Sequence, residues 1–159
     1  MKKFALKTVA IFAVIGWSAV ANAVPNYWDE GATMGYWYLD ITNTKNQGLS
    51  IQCNVGAGEE YDNAVYFSLN TKKDNSTELM GNDNYSLLID NNEVVRLPSG
   101  TNFRLGAEDW MGFTHAIEKA RNIKVYKNNK LVATFTPKNL SVVQDLPEHC
   151  PASFYKEWK

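Results

Sequence analysis

The chain has 159 residues, with 16 basic side chains, 17 acidic ones and 20 aromatic rings. Its first 23 residues hold three lysines and no acid, so the remainder carries 13 basic against 17 acidic residues, a net charge of −4. That acidity argues against a nucleic-acid binder, the length argues against a second domain of ordinary size, and the 17 aromatic residues beyond position 23 argue against disorder.

The chain opens with Lys2, Lys3 and Lys7, an apolar run from Val9 to Val20, and Ala21-Asn22-Ala23. A basic start, a short apolar stretch and an A-x-A site in that order predict a signal peptide over residues 1–23. The apolar run is too short to span a bilayer, and no transmembrane segment is expected after cleavage. Residues 24–159 are expected to form one exported domain, periplasmic or secreted.

Short alternating segments follow, separated by Asn, Asp and Gly. Gly35–Thr42 predicts a strand with Trp37, Leu39 and Ile41 on one face and Tyr36, Tyr38 and Asp40 on the other. Gly48–Asn54 predicts a second strand with Leu49, Ile51 and Cys53 inward. Asn63–Leu69 predicts a third, with Val65, Phe67 and Leu69 together, and the polar stretch Asn70–Asp83 reads as a loop. Tyr85–Ile89 and Val94–Leu97 flank Asp90-Asn91-Asn92-Glu93, and Ile123–Tyr126 and Leu131–Phe135 flank Lys127-Asn128-Asn129-Lys130. Asparagine tolerates positive φ, which tight hairpin turns require, so both pairs read as hairpins.

Between the hairpins, Trp110–Arg121 predicts a helix with Trp110, Phe113, Ile117 and Ala120 on one stripe, Asp109 as its N-cap and His115 on the polar face. A second short helix is expected from Pro137 after a Thr136 cap, carrying Leu140 and Val143 inward and stopping before Pro147. These elements predict a mainly β fold: a single-domain antiparallel sandwich or partly open barrel of six to eight strands with one or two short helices. In an exporting context, the two cysteines, Cys53 and Cys150, are expected to form one intramolecular bridge. An intermolecular bridge and free thiols are the alternatives. The bridge would close a loop of roughly 100 residues, worth roughly 4–5 kcal/mol in the chain-entropy model.

Residues able to do catalysis are few. There are two histidines: His115 on a solvated helix face and His149 beside a half-cystine, where a bridge would remove the thiolate a Cys–His nucleophile needs. Asp29-Glu30, Glu59-Glu60 with Asp62, and Glu108-Asp109 offer carboxylates, but neighbours along a strand point to opposite faces. No metal, no cofactor and no catalytic residue is expected. The aromatics offer more. Tyr27, Trp28, Tyr36, Trp37 and Tyr38 crowd the start of the expected mature chain, and Phe154-Tyr155-Lys156-Glu157-Trp158 ends it. Tyrosine gives contact area with a polar tip at low entropic cost. Tyr36, Tyr38 and Asp40 are therefore the leading binding candidates, with Glu59 and Glu60 in the adjoining loop beside them.

The order W-Y-L-D (Trp37–Asp40), G-L-S-I-Q-C (Gly48–Cys53), A-V-Y-F-S-L (Ala64–Leu69), Y-S-L-L-I-D-N-N (Tyr85–Asn92), A-I-E-K-A-R-N-I-K-V (Ala116–Val125) and L-V-A-T-F-T-P-K-N-L (Leu131–Leu140) resembles small exported proteins grouped with invasion-associated locus B and with periplasmic accessory proteins of type VI secretion. The resemblance implies a β-sandwich-like fold without defining catalytic residues, and an envelope, host-interaction or secretion role. Three functions compete: an exported non-enzymatic module that binds an envelope, effector, phage or host protein; an inhibitor or immunity protein against a cell-wall hydrolase; and a glycan hydrolase using a carboxylate pair.

Overall fold

In the computed structural model of the chain, the described residues are 23–73 and 75–156. The expected signal peptide therefore lies outside them except for Ala23, as do Glu157 and Trp158 of the aromatic tail. The described residues form nine strands: β1 (Trp28–Thr33), β2 (Tyr36–Thr42), β3 (Gly48–Asn54), β4 (Ala64–Ser68), β5 (Ser76–Glu78), β6 (Tyr85–Ile89), β7 (Glu93–Val95), β8 (Ile123–Lys127) and β9 (Lys130–Phe135). Two α-helices, α1 (Arg104–Lys119) and α2 (Leu146–His149), and two 3₁₀ turns, Leu140–Val142 and Ser153–Tyr155, complete the described residues. The strands make two antiparallel sheets, β1-β2-β3-β4-β5 and β7-β6-β8-β9, and no barrel closes.

Period-2 alternation sends one set of side chains from each sheet into a shared core. Leu39, Ile41, Leu49, Ile51, Val65 and Phe67 come from the first sheet, and Leu87, Ile89, Ile123, Val125 and Phe135 from the second. Helix α1 adds Trp110, Phe113 and Ile117, all at most 1% exposed, on the stripe the sequence predicts. Both hairpin turns form as their asparagines require. Asn128 and Asn129 both have positive φ between the paired Lys127 and Lys130, and Asp90 and Asn91 do the same after β6.

Several boundaries differ from the sequence expectation. Strand β1 was not predicted, because Asp29, Glu30 and Gly31 dilute its alternation and only Trp28 is buried. Strand β5 lies inside the polar stretch expected to be a loop and is three residues long. Leu69 falls past the end of β4 and is exposed, not inward. Trp37 lies at the core's rim, half-buried, rather than within it. Helix α1 begins at Arg104, six residues before the expected start, and its cap position is Phe103 with no side-chain bond. Asp109 is thus inside the helix rather than its cap. Pro137 starts no helix; instead Pro147 sits in the first turn of α2, where its missing N–H leaves nothing unsatisfied.

Side chains blunt two of the sheet edges. The Asn43 and Gln47 amides donate to the β9 carbonyls of Thr134 (3.1 Å) and Val132 (2.7 Å). Asn139 accepts from the Trp28 amide at 2.6 Å and donates to the Trp28 carbonyl at 2.8 Å, taking the place of a neighbouring strand at the start of β1. Among the described residues no helix is long and apolar enough to cross a membrane.

Candidate functional site

The outer face of the five-stranded sheet carries the candidate residues, and its hairpin end is set by backbone geometry. Met34 and Gly35 turn the chain from β1 into β2 with positive φ at both positions. The carbonyl of Gly35 accepts hydrogen bonds from Val55 and Gly56, each at 2.9 Å, so the segment after β3 docks against the turn. A side chain at Gly35 would collide with the Gly56–Ala57 backbone. Fully buried Asn54 then shapes that segment. Its side-chain oxygen accepts from the Gly56 and Ala57 amides, and its amide group donates to the carbonyls of Gly58 and Tyr61, both at 2.8 Å.

This scaffold brings Tyr36, Tyr61 and Glu60 together. The Tyr36 ring meets Tyr61 edge-on with centroids 6.4 Å apart, while Tyr61 remains 49% exposed. Burial, then the Tyr61 hydroxyl and the Asp62 and Glu60 carboxylates, pushes the Tyr36 hydroxyl above its ordinary pKa. The Glu60 carboxylate folds back over Gly58, and Glu59 is exposed in the same turn. Tyr38, in the centre of β2, pairs with Gly31 on β1, and its ring lies across the space a Gly31 side chain would fill. It is therefore half-buried against its own sheet rather than projecting freely.

Asp40 stands farther along β2, directly opposite Asp29 on β1 and Ser50 on β3. Burial and the like charge of Asp29 raise its carboxyl pKa, and a hydrogen bond from Ser50 partly offsets them. The sequence paired Asp29 with Glu30, which alternation separates; the strand register pairs it with Asp40 instead. The Met34-Gly35 turn signal followed by Tyr36–Thr42 could have revealed that hairpin. Tyr66 on β4 joins the same face beside Ser50, its hydroxyl pKa raised by burial, Glu78 and Tyr36.

Behind this face lies a clamp on the chain's C-terminal segment. Cys53 and Cys150 are bonded, with Cα atoms 5.2 Å apart and both residues buried. The Trp110 indole N–H donates to the Cys150 carbonyl at 2.8 Å. Asp62 accepts from the Thr101 amide (2.5 Å), the Thr101 hydroxyl, the Ser153 hydroxyl (2.8 Å) and the Asn63 amide (2.8 Å). Burial alone would raise the Asp62 pKa, but these donors outweigh it and hold the carboxyl below its ordinary 3.8. Lys156 donates to the Asn54 carbonyl, its pKa lowered by burial against the pull of Asp62. With Cys150 oxidised, a Cys150–His149 nucleophile is not available; His149 lies edge-on to Trp37 at 6.2 Å. His115 is exposed on α1 with Nδ1 3.4 Å from Glu118. Among the described residues no group of three or more His, Cys, Asp or Glu side chains is placed to hold a metal.

A family model described as YfjT matches residues 26–143, which include both sheets and helix α1. The chain belongs to the YfjT family. Within that family, it is 26% identical over 154 residues to the uncharacterized protein YfjT of Escherichia coli (strain K12), covering 92% of this chain and 95% of the relative. It is 25% identical over 118 residues to the uncharacterized protein YkfB of the same organism, covering 73% of this chain and 75% of the relative. No solved structure matches the chain. The family match spans Tyr36, Tyr38, Asp40, Glu59, Glu60 and Cys53, whereas Cys150 and the Ser153 end of the clamp fall after it.

Proposed function

We propose that this YfjT-family protein is an exported, non-enzymatic binding module that recognises a protein in the cell envelope or outside the cell. Its contact surface would be the hairpin end of the five-stranded sheet. The observation that carries this reading is the corner where Tyr36 and Tyr61 meet edge-to-face beside Glu60. Half-exposed tyrosines on a rigid strand and a pinned loop supply contact area with little ordering entropy. Glu59 and Glu60 supply a charge that steers a basic partner. The Cys53–Cys150 bond suits a chain that works in an oxidising compartment, periplasmic or secreted. Inhibition of a basic cell-wall hydrolase is the form of this reading that the exposed Glu59 and Glu60 favour.

The test is capture from envelope extract with the mature protein, followed by kinetics on the purified partner. Tyr36→Ala should weaken the complex by roughly 1–3 kcal/mol. Glu59→Gln with Glu60→Gln should slow association in low salt and lose that effect in high salt. A partner that binds both variants with wild-type kinetics contradicts the assignment.

A further inference from the structure

The same outer face has a second feature at the end away from the β1–β2 hairpin. Strand pairing aligns Thr42, Gly48, Ser68 and Ser76 in one row across β2 to β5, and all four are small. The neighbouring row is Asp29, Asp40, Ser50, Tyr66 and Glu78. Tyr27, just before β1, and the link from β4 to β5 stand beside these rows. That link is held in place by the Thr71 amide, which donates to the Asn46 carbonyl at 2.7 Å, and by the Thr71 methyl, which fills the space over Gly48. The small row between these taller neighbours leaves a hollow of about 570 Å³, with Ala23, the last residue before the expected cleavage point, at its edge. Its size falls within the roughly 300–1,000 Å³ of small-molecule sites.

The lining limits what could occupy it. Two carboxylates, Asp29 and Asp40, and two ammonium groups, Lys72 and Lys73, line it, so a ligand carrying charge of a single sign is attracted by one pair and repelled by the other. Hydroxyls of Ser50, Ser68 and Ser76 and the Asn75 amide also line it with groups that both donate and accept; Ser50 bonds Asp40, and Ser68 donates to the Asn75 side-chain oxygen at 3.2 Å. A ligand hydroxyl can donate to a carboxylate and accept from an ammonium, which gives charge-assisted bonds at both ends without net charge. Tyr27 adds an apolar ring wall. The Lys138 ammonium lies over the Tyr27 ring, 5.6 Å from its centroid. We propose that this hollow binds a neutral saccharide, with a sugar ring against Tyr27 and its hydroxyls shared between the Asp29/Asp40 and Lys72/Lys73 pairs. The site is distinct from the Tyr36–Tyr61–Glu60 corner and does not depend on the protein-partner reading.

The test is an amide NMR titration of the mature protein. The probes are three neutral tetrasaccharides (β-1,4-linked N-acetylglucosamine tetramer, cellotetraose and maltotetraose), with pentalysine and pentaglutamate as charged controls. At least one tetrasaccharide should give saturable shifts at Ser50, Ser68 and Asn75, with a dissociation constant of about 1 mM or tighter. Tyr27→Ala should weaken that binding by about tenfold, Tyr27→Phe should retain it, and Tyr36→Ala should leave it unchanged. Tyr27 is 43% exposed, and a thermal melt of Tyr27→Ala checks that its fold is intact. Saturable shifts at the hollow with a charged peptide alone would overturn the proposal, as would their absence with all three tetrasaccharides. Shortened sugars recovered after the titration would support the hollow as a saccharide site and overturn the non-enzymatic reading.

Discussion

Two aspartates in one sheet-and-loop frame meet opposite surroundings. Asp62 receives four hydrogen bonds, from Thr101, Ser153 and Asn63, and its carboxyl is held below the ordinary pKa. Asp40 faces a second carboxylate, Asp29, across one strand pair; burial first and then that like charge raise its pKa against a hydrogen bond from Ser50. The first arrangement joins the β3–β4 link, the residues before α1 and the C-terminal segment. The second joins nothing distant and places like charges opposite each other, which destabilises a strand pair. Proteins keep such locally unfavourable groups where function uses them. The difference separates a clamp that serves stability from the face proposed above for recognition.

The largest effect should come from the clamp. Removing the bridge with Cys53→Ser and Cys150→Ser should lower unfolding free energy by about 2–5 kcal/mol in urea denaturation. Reduction of the wild type should give a comparable loss. Asp62→Ala should cost about 1–3 kcal/mol, because the Thr101 and Ser153 groups lose their acceptor. The acid limb checks the cause. Asp62 has a folded-state pKa below 3.8, so its stabilising effect is fully present above that value and is lost as pH falls through the folded-state pKa. Denaturation of Asp62→Asn between neutral pH and pH 3 should show a shallower decline than wild type.

On the proposed recognition face, Tyr36→Ala should move partner affinity by roughly 1–3 kcal/mol while the melting temperature changes little. Tyr38→Ala should instead reduce stability by about 1 kcal/mol, because its ring covers Gly31. The smallest effect has the opposite sign. Asp40→Asn should stabilise the fold by about 0.2–1 kcal/mol at neutral pH by removing the repulsion from Asp29. The raised pKa sets its window: the penalty is absent below 3.8 and fully present above the folded-state pKa, so the gain should disappear in acid. If Asp40→Asn destabilised the protein at neutral pH, the contrast between the two regions would fail.

The elements that could be read from sequence are those in which alternation and turn chemistry agree. β2 and β3 alternate strongly, and the Asn128-Asn129 turn needs the positive φ that asparagine tolerates. β1 was hidden because an edge strand with acids and a glycine has little apolar signal, and its missing neighbour is replaced by the Asn139 side chain 111 residues away. The start of α1 carries no capping side chain for a sequence reading to find. Tyr36 and Tyr38 could be assigned to the outer face from period 2 alone. The Asp29–Asp40 pair could not, since it depends on the register of the unrecognised β1. The Asp62 clamp was equally hidden, because its donors lie 39 and 91 residues along the chain.

The most direct measurement is site-specific photo-crosslinking in the producing cell. A crosslinking residue replaces Tyr36 on the five-stranded sheet in one variant and Val94 on the exposed face of β7 in another; Val94 is 72% exposed and serves as the comparison surface. A discrete protein adduct is expected from position 36 and none from position 94. Adducts from position 94 alone, or the same adducts from both positions, would contradict the claim that the hairpin end of the five-stranded sheet is the recognition surface.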